Sequence, residues 1–476
     1  MFSSSRLRKA LLLASSFLSA LECSAIPDEA FTVAFEHAIE EILGSSASDP
    51  HTPSPQSSSA PSNDTQTNWV FAHHIVGNTY NYTQADWADD ISLASSKGID
   101  AFALNVGRDG WETDQVANAY AAAKSLNTTF QLFLSLDMTS LPCGASGDAS
   151  GIRQYIETYA NHSNQFTYNN SVFLSTFSGE SCSFGTNNAN DGWTQVLRAN
   201  MTTNVWFVPA FFVDPASFSN YTVLDGAFNW NGGWPDGNSN ITLTSDETYL
   251  SHLGNGTYMG AVSPWFFTHY GVDTYNKNFI YRGDDWLWTE RWELMVQNRT
   301  QLPFIEVISW NDFGESHYIG PIKGIQPMSE SWVNGYDHGG WLDLMHYYVI
   351  AYKTGSYPAI TEDRLFTWGR LYPANATAPD RVGKPFNYEW TEDYVWALAF
   401  LPSPANISLS CGNSTQNMTA PEGVTKMKLP LYANCSVNAL IQRGDNVTMD
   451  FSPVGYNYTT SPPNYNYNAF VAASPR

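Results

Sequence analysis

From Trp69 onward the chain alternates short apolar runs with longer stretches of helical spacing. Residues 70–72 are apolar and run into His73 and His74, and residues 86–97 then read as a helix closed by Gly98, the residue type that ends helices in a left-handed turn. The pattern repeats. An expected strand at 100–104 ends at Asn105, one at 130–136 ends at Asp137, and one at 172–177 ends near Glu180, with helices expected at 114–126, 148–160 and 191–200. Strands at 205–208, at 226–228 (ending at Asn229 and Trp230), at 259–262 (running to Trp265) and at 304–309 follow, with helices at 245–253, 284–297 and 341–352. Repeated strand–helix alternation predicts a parallel sheet with crossover helices. Eight such units predict an α/β fold of (β/α)8 TIM barrel type over residues 68–379. A doubly wound open sheet is the alternative, but no strand is followed by the glycine-rich phosphate turn such folds usually carry. Beyond residue 379 the period changes to short alternating segments at 395–400, 407–411, 426–431, 439–441 and 447–451, separated by turn residues and proline. This predicts a C-terminal antiparallel β-sandwich domain over 380–476, with an aromatic tail at 456–470 that packs on the barrel.

The N-terminus has a different character. Arg6, Arg8 and Lys9 precede an apolar run at 10–21, too short for the roughly 20 residues of a membrane span. With the small residues Ser24 and Ala25 behind it, this reads as a secretory signal peptide over 1–25. Residues 26–44 have helical spacing, and 45–67 are rich in Ser, Pro and Thr, so 26–67 is expected to be an N-terminal segment and linker. Cleavage removes Cys23 and leaves Cys143, Cys182, Cys411 and Cys435, whose clustering suggests the disulfides Cys143–Cys182 and Cys411–Cys435. Many N-x-S/T sequons, among them Asn81, Asn127, Asn200, Asn240, Asn298, Asn406 and Asn446, suit a secreted, glycosylated protein of the extracellular space or cell wall.

Composition narrows the partners. A net charge of −23 argues against nucleic acid and anionic membrane, which need a basic face. Aromatic residues make up 15% of the chain, enough for large cores or for a surface that stacks on sugar rings. The chain is expected to act as a monomer and without a cofactor.

The chemistry gathers at the end of the last expected barrel strand. Residues 305–321 read IEVISWNDFGESHYIGP, an apolar run opening into a polar loop with Asp312 and Glu315 three residues apart. Residues just past barrel strands share one pocket. That set is His73, Asn105, Asp137, Glu180, Asn229, Trp230, Trp265, His269, Trp310, Asn311, Asp312, Glu315, His317 and Tyr318. For His74 and Asp109, also near strand ends, a capping role is the better reading. Paired carboxylates among aromatic residues point to glycoside hydrolysis, in which one carboxyl group protonates the leaving oxygen and its partner activates water or attacks the sugar. Spacing in an irregular loop does not fix the Asp312–Glu315 distance, and Asp137 or Glu180 stays open as one member of the pair. No HExxH or Cys/His metal spacing and no GxSxG elbow is present, so no metal site is expected. Asp284, Asp285, Glu290 and Glu293 read as a solvated helix face.

Four segments carry a family resemblance: FAHHIVGNTY at 71–80, GIDAFALN at 98–105, SPWFFTH at 263–269 and WNDFGESHYIG at 310–320. Together they resemble family 71 glycoside hydrolases, the fungal α-1,3-glucanases or mutanases, over nearly all of the chain after the linker. The resemblance implies a TIM barrel with a β-sandwich, hydrolysis of α-1,3-glucan with inversion, and Asp312 and Glu315 as the catalytic pair, with a lean to Glu315 as the acid. His74 departs from the aromatic residue expected there. Two alternatives remain: a non-catalytic glucan-binding wall protein on the same barrel, and a glycosidase of another α-linked polysaccharide.

Overall fold

The structure is a computed structural model that describes residues 67–199 and 201–475. The expected signal peptide, the helical segment at 26–44 and the linker up to residue 66 lie outside the described residues.

Eight parallel strands form the main sheet: β1 (Trp69–Ile75), β2 (Ala101–Val106), β3 (Gln131–Asp137), β4 (Ser171–Phe177), β5 (Val205–Phe207), β6 (Gly226–Asn229), β7 (Thr257–Val262) and β8 (Phe304–Val307). Their order is β5-β4-β3-β2-β1-β8-β7-β6, and a two-residue antiparallel strand, Thr167–Tyr168, lies against β4. Among the described residues seven α-helices of six residues or more, α1 (Gln84–Ser96), α2 (Glu112–Leu126), α3 (Asp148–Tyr159), α4 (Ala189–Thr194), α5 (Thr244–His252), α6 (Leu287–Gln297) and α7 (Gly339–Thr354), run between and after the strands. Local chemistry sets their ends. Thr83 and Asp86 cap each other at the start of α1, and Gly355, with φ of +77°, supplies the left-handed residue that ends α7.

Alternation along the strands separates two apolar layers. Val70, Ala72, Phe102, Leu104, Leu132 and Leu134 pack outward against helix residues such as Ile91, Ala119 and Ala123. Phe71, Ala101, Ala103, Phe133, Phe173, Met259, Ala261 and Phe304 belong to a separate cluster on the other face. Within it the Phe71 ring lies 4.9 Å from Phe133 and 5.5 Å from Phe304. Such convergence requires the sheet to curl. The edge strands β5 and β6 approach as well: Asp225 N donates to Phe207 O at 3.0 Å and Phe228 N to Pro209 O at 2.9 Å. Rings thus fill the concave side near the strand starts, and the carboxyl ends carry polar groups.

The C-terminal region contains two antiparallel sheets. One orders Gly423–Pro430, Tyr394–Leu401, Arg364–Gly369 and Phe470–Ala473; the other orders Ser414–Ala420, Ala405–Cys411, Cys435–Arg443 and Asn446–Phe451. Leu365, Val395 and Leu429 of the first share an apolar cluster with Ile407, Leu409 and Ile441 of the second. Arg364–Gly369, on the barrel side of the expected boundary at 379, is thus already paired into this region. The tail packs inward: Trp265 Nε1 donates to Tyr467 O at 2.9 Å, and Asn468 Nδ2 to Tyr318 Oη at 3.1 Å. The disulfides are Cys143–Cys182 and Cys411–Cys435.

The charges around α6 correct the reading of a solvated face. Glu290 and Glu293 both receive Lys426 Nζ, at 2.5 and 2.8 Å, from the antiparallel sheet. Asp284 is 4% exposed and accepts Glu392 N at 2.7 Å. Apolar side chains on both contact surfaces drive this packing, and the carboxylates follow them in. Burial pushes the Asp284 carboxyl up to about 6. Because the folded state then holds the proton more tightly than the unfolded chain, this group's stability contribution is full below about pH 4 and lost as the pH rises to about 6. Asp284→Asn abolishes that dependence. Relative to wild type, the variant should gain up to about 3 kcal/mol between pH 4 and 7. Urea unfolding at the two pH values measures it, and parallel stability curves would refute it.

Candidate active site

The loop after β8 is fastened before it presents any chemistry. Trp310 is fully buried, packs on Phe102 and donates its backbone N–H to His73 O at 2.8 Å. Asn311 is locked to the end of β1, accepting Ile75 N at 2.7 Å and donating to Ile75 O at 3.0 Å. Gly320 lies so close to Trp310 that a Cβ there would meet the indole at 2.6 Å. Phe313 and Tyr318 are buried as well, so the polar side chains between them are held from both ends.

Asp312 and Glu315 are half-buried neighbours on this frame. Asp312 Oδ1 accepts Glu315 N at 3.0 Å, and Ser309 Oγ accepts Asp312 N at 2.7 Å. His317 is fully buried, with Nδ1 3.0 Å from Ser309 Oγ and Nε2 3.1 Å from Glu315 Oε2 and 3.6 Å from Asp312 Oδ2. An ionised Glu315 can only accept, so Nε2 carries the proton aimed at it, and Ser309 Oγ–H is left to donate to Nδ1. One oxygen of each carboxylate and a ring nitrogen of His317 lie within 4.8 Å of one another. These three groups are close enough to hold a cation, but hydrogen bonds within the cluster already account for their approach.

The two carboxyl groups are driven apart in proton affinity. Burial, and then the Glu315 charge, raise Asp312 above the ordinary carboxylate value. Burial also acts to raise Glu315, but the His317 hydrogen bond and the Lys277 ammonium, 4.0 Å from Oε1, outweigh it and bring Glu315 below its ordinary value. One group therefore retains its proton where the other has lost it, the division of labour needed for general acid–base work.

The remaining expected residues divide into those near this pair and those used elsewhere. His73, at the end of β1, lies edge-on to Trp230 at 4.8 Å, and Trp230 also meets Phe177 at 4.8 Å. His73 acts electrostatically on both Asp137 and Glu315, so it stands between β3 and the β8 loop. Asp137 accepts Thr139 Oγ1 at 2.6 Å and is raised by burial; Asn105 is buried at the end of β2. Glu180 is half-buried and accepts Ser178 Oγ at 3.2 Å, two residues before the disulfide cysteine Cys182. Asn229 is turned into the frame, donating to Ser245 Oγ and Tyr258 Oη at 2.9 and 3.0 Å. Trp265 lies under the C-terminal tail, and Tyr318 stacks on His338 at 4.0 Å. His269 bonds Asn278 and Asp380, both at 2.8 Å, and lines a separate cleft with Tyr270 and Trp332. His74 faces the outer layer, 3.2 Å from Asp90 of α1, and Asp109 is exposed.

Three contributors were not singled out from the sequence: Ser309, Lys277 and Glu306. Ser309 borders the WND motif, and Glu306 is a charge inside an apolar strand, so both left a signal. Lys277 left none.

Residues 66–476 match the family profile Glycosyl hydrolase family 71. Glucan endo-1,3-alpha-glucosidase agn1 of Schizosaccharomyces pombe is 37% identical over 410 residues, covering 84% of this chain and 93% of that protein. Mutanase Pc12g07500 of Penicillium rubens is 31% identical over 427 residues, covering 87% and 90%. Among solved structures, a GH99 endo-alpha-mannosidase from Bacteroides thetaiotaomicron aligns with a TM-score of 0.46 at 10% identity, over 61% of this chain and 99% of that one. The chain is a glycoside hydrolase. It belongs to glycosyl hydrolase family 71.

Proposed function

We propose that this protein hydrolyses the α-1,3-glucosidic bonds of α-1,3-glucan as a secreted endo-acting enzyme. The carrying observation is the Asp312–Glu315–His317 unit, in which two adjacent carboxyl groups are shifted in opposite directions beside His73 and Trp230. Names of the relatives add the substrate. The frame in this reading is a (β/α)8 barrel, supported by the two hydrogen bonds between β5 and β6, followed by a β-sandwich, supported by the apolar cluster shared by the two antiparallel sheets. Among the described residues no helix is long and apolar enough to cross a membrane. Secretion rests on the signal-like N-terminus and the sequons, and a monomer is part of the same reading.

The shifts favour Asp312, rather than Glu315, as the acid that protonates the glycosidic oxygen. Inversion requires acid and base about 6.5–9.5 Å apart, with water between base and sugar. One oxygen of Asp312 lies within 4.8 Å of one of Glu315, so in the inverting reading the base is another carboxylate, for which Asp137 at the end of β3 is the candidate, and Glu315 keeps Asp312 protonated. That close approach also suits a second reading, retention, in which Glu315 attacks the sugar directly. The test is a panel of α-linked glucans and mannans, with the first product's anomer read by NMR. Release of β-anomer from α-1,3-glucan is expected. The α-anomer transfers the mechanism to retention, binding without release supports a non-catalytic glucan-binding protein, and cleavage of mannan alone overturns the substrate.

A further inference from the structure

Glu306 is the one charged residue in an otherwise apolar strand, β8, and none of its surface is exposed. It lies level with Phe71 in the β1–β8 register, with Phe304 and Ile308 on either side of it along the chain in the concave apolar cluster. Such surroundings suit a hydrophobic side chain, and burial raises the carboxyl above its ordinary value. Oε1 lies 2.7 Å from His73 Nδ1, while Oε2 is buried without a hydrogen-bond partner. A buried polar contact of this kind is weak support for stability, because desolvation offsets most of the attraction.

What the contact does is orient His73. With Nδ1 engaged by Glu306, the tautomer and ring plane are fixed, and the other nitrogen is left for a different partner. His73 Nε2 has no hydrogen bond among the described residues, and the ring meets Trp230 edge-on at 4.8 Å. We propose that Glu306 is a positioning residue: it holds His73 by Nδ1 so that Nε2 hydrogen-bonds a hydroxyl of the sugar ring seated against Trp230, beside the bond that breaks. This rests on the reading of Asp312 as the acid with Glu315 as its ionised partner. Glu306 touches no substrate and acts through His73. A hydroxyl contact next to the reacting carbon tightens as positive charge develops on the ring, so its loss falls on kcat more than on KM.

The test uses the full-length protein and whichever α-glucan the wild type cleaves in the linkage panel, so that a wrong substrate assignment shows in the wild type itself and leaves the comparison of variants intact. Glu306→Gln keeps the side chain's shape and an oxygen that can accept Nδ1–H, but the neutral amide makes a weaker bond and can turn its NH2 toward the ring, so His73 is held less firmly. The substitution should lower kcat roughly 10–100-fold with little change in KM and an unchanged thermal midpoint. His73→Ala should lose at least as much, and the double variant no more than His73→Ala alone. Wild-type kcat in Glu306→Gln, or losses that multiply in the double variant, would overturn the proposal. If Glu306→Gln does not fold, Glu306→Asp decides: it keeps the charge but falls short by one methylene, and wild-type kcat there refutes the positioning role.

Discussion

Asp312→Asn and Glu315→Gln should each lower kcat/KM by about 10²–10⁴-fold, or roughly 3–5 kcal/mol of transition-state stabilisation, while the protein remains folded. Both amides preserve shape. In Asp312→Asn the side-chain amide oxygen can still accept the Glu315 N–H that Asp312 accepts at 3.0 Å, so the loop keeps its fastening. The pH profile distinguishes the two variants. In the wild type, activity that needs protonated Asp312 is lost as pH rises through its raised pKa, and activity that needs ionised Glu315 is lost as pH falls through its lowered one. A bell in the acidic range follows. Where Glu315 attacks the sugar, Glu315→Gln removes the acidic limb, and where Asp137 is the base that limb stays; in both cases the variant loses the charge that helps to hold Asp312 protonated, so the alkaline limb of its residual activity moves to lower pH. Asp312→Asn leaves no alkaline limb from this pair. Steady-state rates across pH 3–8, with circular dichroism to establish folding, test the pair, and near-wild-type rates in either variant remove that residue from the mechanism.

What the sequence revealed and what it hid follow from the range of the interactions concerned. Strand–helix alternation is local, so β1 to β8 and the helices between them were legible to within a few residues. The WND segment was legible because a polar loop that follows a buried strand is also a local pattern. Partnership across the sheet was not. Nothing near Asn229 announces that it bonds Ser245 and Tyr258, and nothing near Trp265 announces that the C-terminal tail covers it. Both contacts are made by residues that the chain brings back from farther along its length. Arg364–Gly369 was missed for a related reason: a six-residue buried strand has no alternation to betray it and acquires its pairing only from Tyr394–Leu401 and Phe470–Ala473. The same limit explains the charged face of α6, whose partner Lys426 comes from a separate sheet.

Replacing Arg291 by Met should destabilise the fold by about 3–5 kcal/mol, the cost of leaving one member of a buried pair without the other. Arg291 lies on α6 with no exposed surface, and its two terminal nitrogens meet Asp246 of α5 at 2.6 and 2.7 Å while Nε donates to Ala261 O at 2.9 Å. Asp246 also accepts Tyr258 Oη at 2.6 Å, and Tyr258 accepts Asn229 Nδ2 at 3.0 Å. The pair therefore anchors a chain of hydrogen bonds that ends next to Trp230 on the wall of the site. Without Arg291, the Asp246 carboxylate is buried with only a hydroxyl to answer it, and the loop carrying Trp230 loses its support. Two outcomes should accompany each other in Arg291→Met: a lower urea midpoint and a raised KM, since the wall that receives the sugar loosens. The double variant Asp246→Leu with Arg291→Met should regain much of the stability, because no charge is then left stranded in the interior, but not the KM, because Tyr258 and Asn229 have lost their terminal acceptor. Equal stability of Arg291→Met and wild type would show that the pair adds nothing beyond what packing supplies. Full recovery of KM in the double variant would show that Trp230 is held by other contacts.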